Sequence, residues 1–327
     1  MKVIITGSTG HIGNNLIRAL IKENFQVTAL YRNPLKLSAL DGLPVQKIQG
    51  NVLDQTFLNK AFQNQDYVFH LAGVISVNGD PDGNVMKVNV EGTRNVVEAC
   101  LKNKVKKLIH FSSNHALKYD ENTPEINENL PLADETCIAY DYSKALGEKE
   151  VFKGIKRGLN ATILSPSSVL GPFDFWNSLQ GDMLIKIFKG RMPALVSKGF
   201  DWVDVRDVAK SAISAIEKGK PGERYLIGGR YATPLEIAEI CSRFSGIKPP
   251  RLVVPIWSAM LGLPFVKLQS FLTRKPPLFT YEALKILKHS NPYFSYEKAK
   301  CDLGYRARPL TETLKDTYHW FKSQNLV

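Results

Sequence analysis

The chain has 327 residues, 44% of them hydrophobic and 23% charged, the composition of a soluble globular protein of one large domain or two. Those values exclude a collagen, a disordered tail and a disulfide miniprotein. The net charge of +12 is uneven: residues 1–150 hold 16 Lys/Arg against 17 Asp/Glu, a net of −1, and residues 151–327 hold the other 27 against 14, a net of +13.

In chain order, Val3-Ile4-Ile5 reads as a buried strand entering a glycine turn, which is not how a removable signal peptide begins. Leu16, Ile17, Leu20 and Ile21 give helical spacing over 14–23. Strands follow over 26–31 and 45–48, a short helix over 58–62 and a strand over 66–71. A helix over 88–102, a strand over 107–111, a helix over 140–152 and a strand over 161–164 complete the alternation. Strands alternating with helices predict an α/β fold, a Rossmann-type doubly wound parallel sheet covered on both faces. Beyond Pro166 the pattern loosens, with helices over 183–188, 208–216 and 234–245 and a strand over 224–227. The expected organisation is a nucleotide-binding core (1–165 plus 201–228) and a smaller, mostly C-terminal α/β substrate lobe (166–200 plus 229–327).

Residues 252–266 carry no charge. Fifteen residues are too few to span a bilayer, and Pro255 and Pro264 interrupt them. A buried or substrate-facing helix pair is expected. The lesser alternative is contact with a membrane surface, helped by Arg251, Lys267, Arg274 and Lys275. The basic second half suits an anionic ligand as well as plain solvated lysines, and without a nucleic-acid motif no such partner is expected. Cys100, Cys137, Cys241 and Cys301 are far apart and form no C-x-x-C, so reduced thiols in the cytoplasm and no metal site are expected.

Three groups of residues carry chemistry. Gly7-Ser8-Thr9-Gly10-His11-Ile12-Gly13 follows a strand and opens a helix, where glycines allow a tight turn and free N–H groups at the helix start favour a pyrophosphate. His11 contributes its backbone N–H there. The second strand ends Tyr31-Arg32-Asn33, with an arginine where NAD sites usually carry an acid. A guanidinium can bind a ribose 2′-phosphate in a fork, which argues for NADP(H), with Lys36 in support. Third, Tyr140 and Lys144 share a helix face four residues apart, downstream of a strand ending in Ser112-Ser113. A nearby ammonium lowers a phenol's pKa and makes it a usable acid or base. Tyr281/Lys285, Tyr296/Lys300 and Tyr318/Lys322 repeat the spacing, outside that context.

These residues resemble the short-chain dehydrogenase/reductase superfamily in its extended branch, the NAD-dependent epimerase/dehydratase family. The matching stretches are Thr6 to Gly13, Gly50-Asn51-Val52-Leu53-Asp54, His70-Leu71-Ala72-Gly73, Asn89-Val90-Glu91-Gly92-Thr93, Ser112-Ser113, Tyr140 to Lys144, and Ser165 to Pro172. A tail, Phe294 to Tyr305, extends the match over nearly the whole chain. Tyr31-Arg32 and Ser112 to Ala116 look most like dihydroflavonol-4-reductase-like and 3β-hydroxysteroid-dehydrogenase-like members.

The resemblance implies a site. Tyr140 would donate or accept the proton, Lys144 would hold the nicotinamide ribose, and Ser113 would orient the substrate oxygen. Gly7, Thr9, Gly10, His11, Ile12 and Gly13 would take the pyrophosphate, and Tyr31 and Arg32 the adenosine end. Asn51 and Val52 would lie near adenine, Leu71, Ala72 and Gly73 along the cofactor, and Pro166, Ser168 and Val169 near the nicotinamide amide. Asn51 stands where an aspartate is common, so adenine recognition is expected to differ. Asn114 and His115 are candidate substrate contacts. The expected activity is NADP(H)-dependent reduction of a carbonyl, or oxidation of an alcohol, on a fairly hydrophobic small molecule. A nucleotide-sugar epimerase or dehydratase holding NAD and a catalytically silent NADP sensor stay open as alternatives. A homodimer is expected by analogy, and Asp204, Arg206 and Asp207 are expected to bond lobe to core.

Overall fold

The computed structural model describes residues 1–76, 79–263 and 281–327. Its central sheet has seven parallel strands: β3 (Gln46–Gln49), β2 (Gln26–Tyr31), β1 (Lys2–Thr6), β4 (Tyr67–His70), β5 (Lys107–Phe111), β6 (Ala161–Pro166) and β10 (Arg224–Ile227), in that spatial order. The chain works outward from β1 to β3 and then crosses to β4 on the other side of β1. That reversal opens a crevice at the C-terminal ends of β1 and β4, where open α/β sheets bind ligands. The register sets Thr6 beside His70 and His70 beside His110.

The strands are apolar on both faces because helices cover both. Val3, Ile5, Phe69, Ile109 and Leu164 pack against α1 (His11–Lys22) and α7 (Val205–Glu217). Ile4, Val68, Leu108 and Ile163 pack against α2 (Gln55–Ala61), α4 (Gly92–Lys102) and α5 (Ala139–Lys156). The α4 face begins earlier than its apolar spacing suggests. A single turn, α3 (Asn84–Met86), and a π-helical turn over Lys87–Glu91 precede it. In that turn Asn89 bonds Val74 through both its amide atoms and donates to Ser143 Oγ at 2.9 Å. Gly147 of α5 fits against the Asn89 carbonyl, where a Cβ would come within 2.8 Å.

Beyond β6 lie a three-stranded mixed sheet of β7 (Ser168–Leu170), β9 (Phe200–Asp204) and β11 (Arg230–Ala232), and a short pair, β8 (Leu195–Val196) with β12 (Val253–Val254). An aromatic-rich core of Phe188, Trp202, Trp320 and Phe321 joins them to α6 (Leu179–Phe188), α8 (Pro234–Ser245) and a C-terminal helix over Leu310–Ser323. A capping box of Thr233 and Glu236 starts α8 and Gly246, at φ +74°, ends it. Asp204, with its side chain wholly buried, caps α7, pairs with Arg206 and accepts from Thr313 Oγ1 at 2.8 Å; Arg206 also reaches Asp316.

The described part of the uncharged stretch, residues 252–263, is not buried throughout. It makes β12 and a six-residue helix, α9 (Ile256–Leu261). Ile256 and Leu263 are buried, while Leu252, Trp257 and Leu261 are more than half exposed. A helix this short has one inward face and turns its other apolar residues to solvent. Residues 264–266, with Lys267, Arg274 and Lys275, lie outside the described residues. Among the described residues no helix is long and apolar enough to cross a membrane.

Candidate active site

The turn between β1 and α1 is built by its glycines. Gly7 has φ +71°, and a Cβ there would stand 2.7 Å from the backbone of Leu71 and Ala72. A Cβ on Gly13 would stand 2.3 Å from the Gly7 carbonyl oxygen. Gly7 is required by packing against the exit of β4, and Gly13 by packing within the turn itself. Gly10 is different: a Cβ would meet only the Gly7 oxygen, at 3.3 Å, and the residue is exposed. Its outer side is open, which leaves room for a group to approach the backbone. As N-cap of α1 it gives no side-chain bond to the first-turn N–H groups, which therefore suit an anion. Thr9, His11 and Ile12 are half-buried in the same turn. This cradle fits a pyrophosphate.

His11 also does something the sequence did not signal. Its ring bonds the Pro172 carbonyl at 3.1 Å. Asn15 donates to the same oxygen at 3.1 Å, and Asn14 donates to the Phe173 carbonyl at 3.0 Å. Phe173 holds φ +63°, and the Arg18 guanidinium lies 4.4 Å from its ring centre. The loop after β7 is thus fastened to α1, and His11 and Val169 line one small cleft.

At the adenosine end, Arg32 follows β2, exposed and with no partner among the described residues. Tyr31 is half-buried beside it. Asn33 caps the next short helix by accepting from Leu35 N at 3.0 Å. Lys36 lies 5.7 Å from the Trp176 ring centre, which brings this segment to the loop beyond β7. Asn51 spends its side-chain oxygen on Leu53 N at 3.1 Å. Val52 is buried under Gly92, so of its atoms the backbone is what a ligand can meet.

The reacting end gathers where β4, β5 and β6 finish. Ser113 is buried, donates to Asn114 Oδ1 at 3.4 Å and accepts from the His115 N–H at 3.2 Å, and it lies close enough to Tyr140, at the start of α5, to influence its phenol. Lys144, one turn on, donates to the Phe111 carbonyl at 2.8 Å. Its Nζ lies 4.0 Å from where a Gly73 Cβ would stand, so the strip Leu71-Ala72-Gly73 runs past the ammonium. Pro166 ends β6 and Ser168 and Val169 begin β7 on the next strand over. The lowering of the Tyr140 phenol expected from Lys144 is not realised. Burial dominates and pushes Tyr140 up to about 12, against a weaker opposing pull from Ser113. Burial also brings Lys144 down to about 8, so the lysine is the group poised near neutral pH.

Behind this end lies a polar layer that sequence reasoning missed. His70 bridges Thr6 Oγ1 at 2.8 Å and Thr93 Oγ1 at 3.0 Å, and the His110 ring centre is 5.3 Å away. Burial, then the charge of Lys144, hold His70 at about 3, and His110 is kept well below the usual range by burial, His70 and Lys144. His70 stood only within the matched stretch His70 to Gly73 and His110 within a strand, with no role for either ring, because the strand pattern treats them as isolated polar residues. Asp141 was missed too. His115 Nδ1 lies 3.2 Å from Asp141 Oδ1, and the His115 and Tyr140 ring centres are 5.9 Å apart. Asn114 donates to Tyr119 Oη at 2.7 Å.

A doubly wound sheet with an anion cradle at its switch point defines a dinucleotide-binding α/β protein. The chain belongs to the NAD-dependent epimerase/dehydratase family, whose model matches residues 3–228, within the extended short-chain dehydrogenases/reductases. It is 30% identical to sterol demethylase protein B of Methylococcus capsulatus over 100% of both chains. It is 27% identical to a 3β-hydroxysteroid dehydrogenase/decarboxylase of Arabidopsis thaliana, over 98% of this chain and 80% of that one. The solved UDP-glucuronic acid 4-epimerase of Bacillus cereus, in complex with UDP-glucuronic acid and NAD, superposes with a TM-score of 0.80 at 22% identity, covering 99% of this chain and 100% of that one. That last likeness is one of fold. The family binds a nicotinamide dinucleotide, and its members include oxidoreductases acting on hydroxyl and carbonyl groups.

Proposed function

We propose that the protein is an NADP(H)-dependent oxidoreductase that interconverts a carbonyl and an alcohol on a fairly hydrophobic small molecule. The observation that carries the reading is Arg32. It is an exposed, unpartnered guanidinium at the end of β2, where an NAD site would carry an acid. Such a fork suits a 2′-phosphate and a carboxylate there would repel it.

When bound, the nicotinamide supplies or accepts the hydride. The chain's residues do the rest. Ser113 and Tyr140 hold the substrate oxygen between two hydroxyls, and Tyr140 passes the proton to or from it. Lys144 holds the ribose and stabilises the phenolate that forms when Tyr140 gives up its proton. Gly7 to Gly13 hold the pyrophosphate, Asn51 and Val52 border the adenine, and Leu71 to Gly73 with Pro166, Ser168 and Val169 border the rest. An apolar substrate is supported by the relatives' names, a sterol and a hydroxysteroid.

The test is a titration with NADPH and NADH after a check for copurified nucleotide. NADPH preference that Arg32→Asp weakens supports the reading. Copurified NAD or NADH preference overturns the cofactor choice and favours an epimerase or dehydratase. NADPH binding with no turnover on a carbonyl panel leaves the silent sensor.

A further inference from the structure

The hydride-transfer reading leaves one pair beside Tyr140 unused. His115 sits in the short turn after β5, on Ser113, whose Oγ accepts from the His115 N–H at 3.2 Å. Asp141 sits in the first turn of α5, next to Tyr140. The two elements bring Asp141 Oδ1 within 3.2 Å of His115 Nδ1, an ion contact rather than a well-aligned hydrogen bond. This fixes the ring: Nδ1 faces Asp141 and Nε2 faces the other way. Nε2 has no partner among the described residues, and it is not among their sealed, unpaired polar atoms. The side chain is 22% exposed, and its ring lies against Tyr140 with centres 5.9 Å apart.

We propose that His115, held by Asp141, is the subsite for a carboxylate of the substrate, set a few bonds from the carbonyl that Tyr140 serves. This rests on the reductase reading above.

The chemistry of the pair selects the ligand. An imidazolium has two donors and no acceptor. One nitrogen faces Asp141, which leaves Nε2–H as a charged donor on a ring that packs against Tyr140. Burial disfavours the cation, but the neighbouring Asp141 carboxylate outweighs it and leaves the His115 pKa above the usual value. The other titratable groups around the pair are Tyr140 and Tyr119, both pushed up by burial and therefore neutral. Asp141 and imidazolium balance one another. An incoming carboxylate therefore meets a charge-assisted donor without a second carboxylate facing it, and such bonds are roughly twice as strong as neutral ones. A neutral ketone or ester oxygen gains less from the same donor. The substrate class that uses both parts of the site is a hydrophobic 3-oxo acid or its 3-hydroxy counterpart.

The test uses 3-hydroxydecanoate, its methyl ester and 2-nonanol with NADP⁺, on the parent protein, His115→Gln and Asp141→Asn. The parent should favour the acid over the ester in kcat/KM. His115→Gln should remove that preference by raising KM for the acid about tenfold to a hundredfold, the range expected for losing a charged hydrogen bond, with a much smaller effect on the ester. Asp141→Asn should weaken the preference in part. Equilibrium binding of the acid to Tyr140→Phe loaded with NADP⁺, with and without His115→Gln, should show the same loss without turnover. Equal use of acid and ester overturns the subsite, as does a His115→Gln defect equal on both, which marks a structural role. Failure of the acid to bind or react while NADPH binds and other ketones are reduced also overturns it and leaves the reductase reading standing. Failure of NADPH to bind defeats the reductase reading itself, and the subsite with it.

Discussion

His70 makes the protein's stability sensitive to mild acid in a way that can be worked out from its surroundings. The ring is 1% exposed, bonded at both nitrogens to hydroxyls, and held at about 3 by burial and then by Lys144. In the unfolded chain it returns to about 6.5. A base with a depressed folded-state pKa is neutral in the fold but picks up a proton when unfolded, so stability falls as pH drops from 6.5 towards 3. Between pH 7 and pH 5 the unfolded state gains about 2 kcal/mol from this one group, at about 1.4 kcal/mol per unit. His110 acts in the same direction. His115, whose pKa is raised, acts in the opposite one. Comparison with His70→Asn removes those shared contributions, whatever the variant's own stability. Urea unfolding at pH 7, 6 and 5 should show the parent losing about 2 kcal/mol more than His70→Asn across that range. Parallel pH dependences for the two proteins would refute the account of a neutral, sealed histidine.

Gly13→Ala would set a Cβ against the backbone of Gly7 and Ser8, which cannot give way; a loss of about 1–3 kcal/mol in a melt is expected, with weakened NADPH binding in titration. Tyr140→Phe should lower kcat by about a hundredfold to ten-thousandfold, the usual worth of a general acid or base, and leave the cofactor Kd unchanged. Lys144, depressed to about 8, holds fewer protons in the fold than unfolded between pH 8 and about 10.5. Stability should therefore rise with pH in that window, by up to about 2 kcal/mol from pH 8 to 10 relative to Lys144→Met in urea titrations. Arg224→Met leaves the wholly buried Glu148 carboxylate without its cation. A loss of about 3–5 kcal/mol is expected in chemical denaturation.

Much of this molecule can be read from local pattern. The strands over 107–111 and 224–227 fall where the sequence places them, with every residue of both buried, although the first is interior and the second is the edge of the sheet. The start of α1 is harder: its first turn, His11-Ile12-Gly13, has no helical spacing of its own and is held by the turn before it. The small sheet of β7, β9 and β11 lay beyond reach, since its strands are three to five residues long and pair across about 30 residues of intervening chain. The site divides the same way. Glycine spacing and the Tyr140/Lys144 step are local and visible. The contact of His115 with Asp141 and that of His70 with Thr93 are made by packing one element on another, and neither residue type announces its partner. Even the phenol went against its neighbour's charge, because burial is a property of the fold and not of the spacing.

The fastening of α1 to the loop beyond β7 makes two distant parts of the chain respond as one. His11, Asn14 and Asn15 tie the helix that faces the pyrophosphate cradle to the carbonyls of Pro172 and Phe173. The thermodynamic linkage is reciprocal. A nucleotide that steadies the first turn of α1 also steadies residues 172–178, and whatever orders that loop tightens the nucleotide. Amide exchange in the loop thus becomes a remote gauge of occupancy at the cradle, readable before any substrate is known.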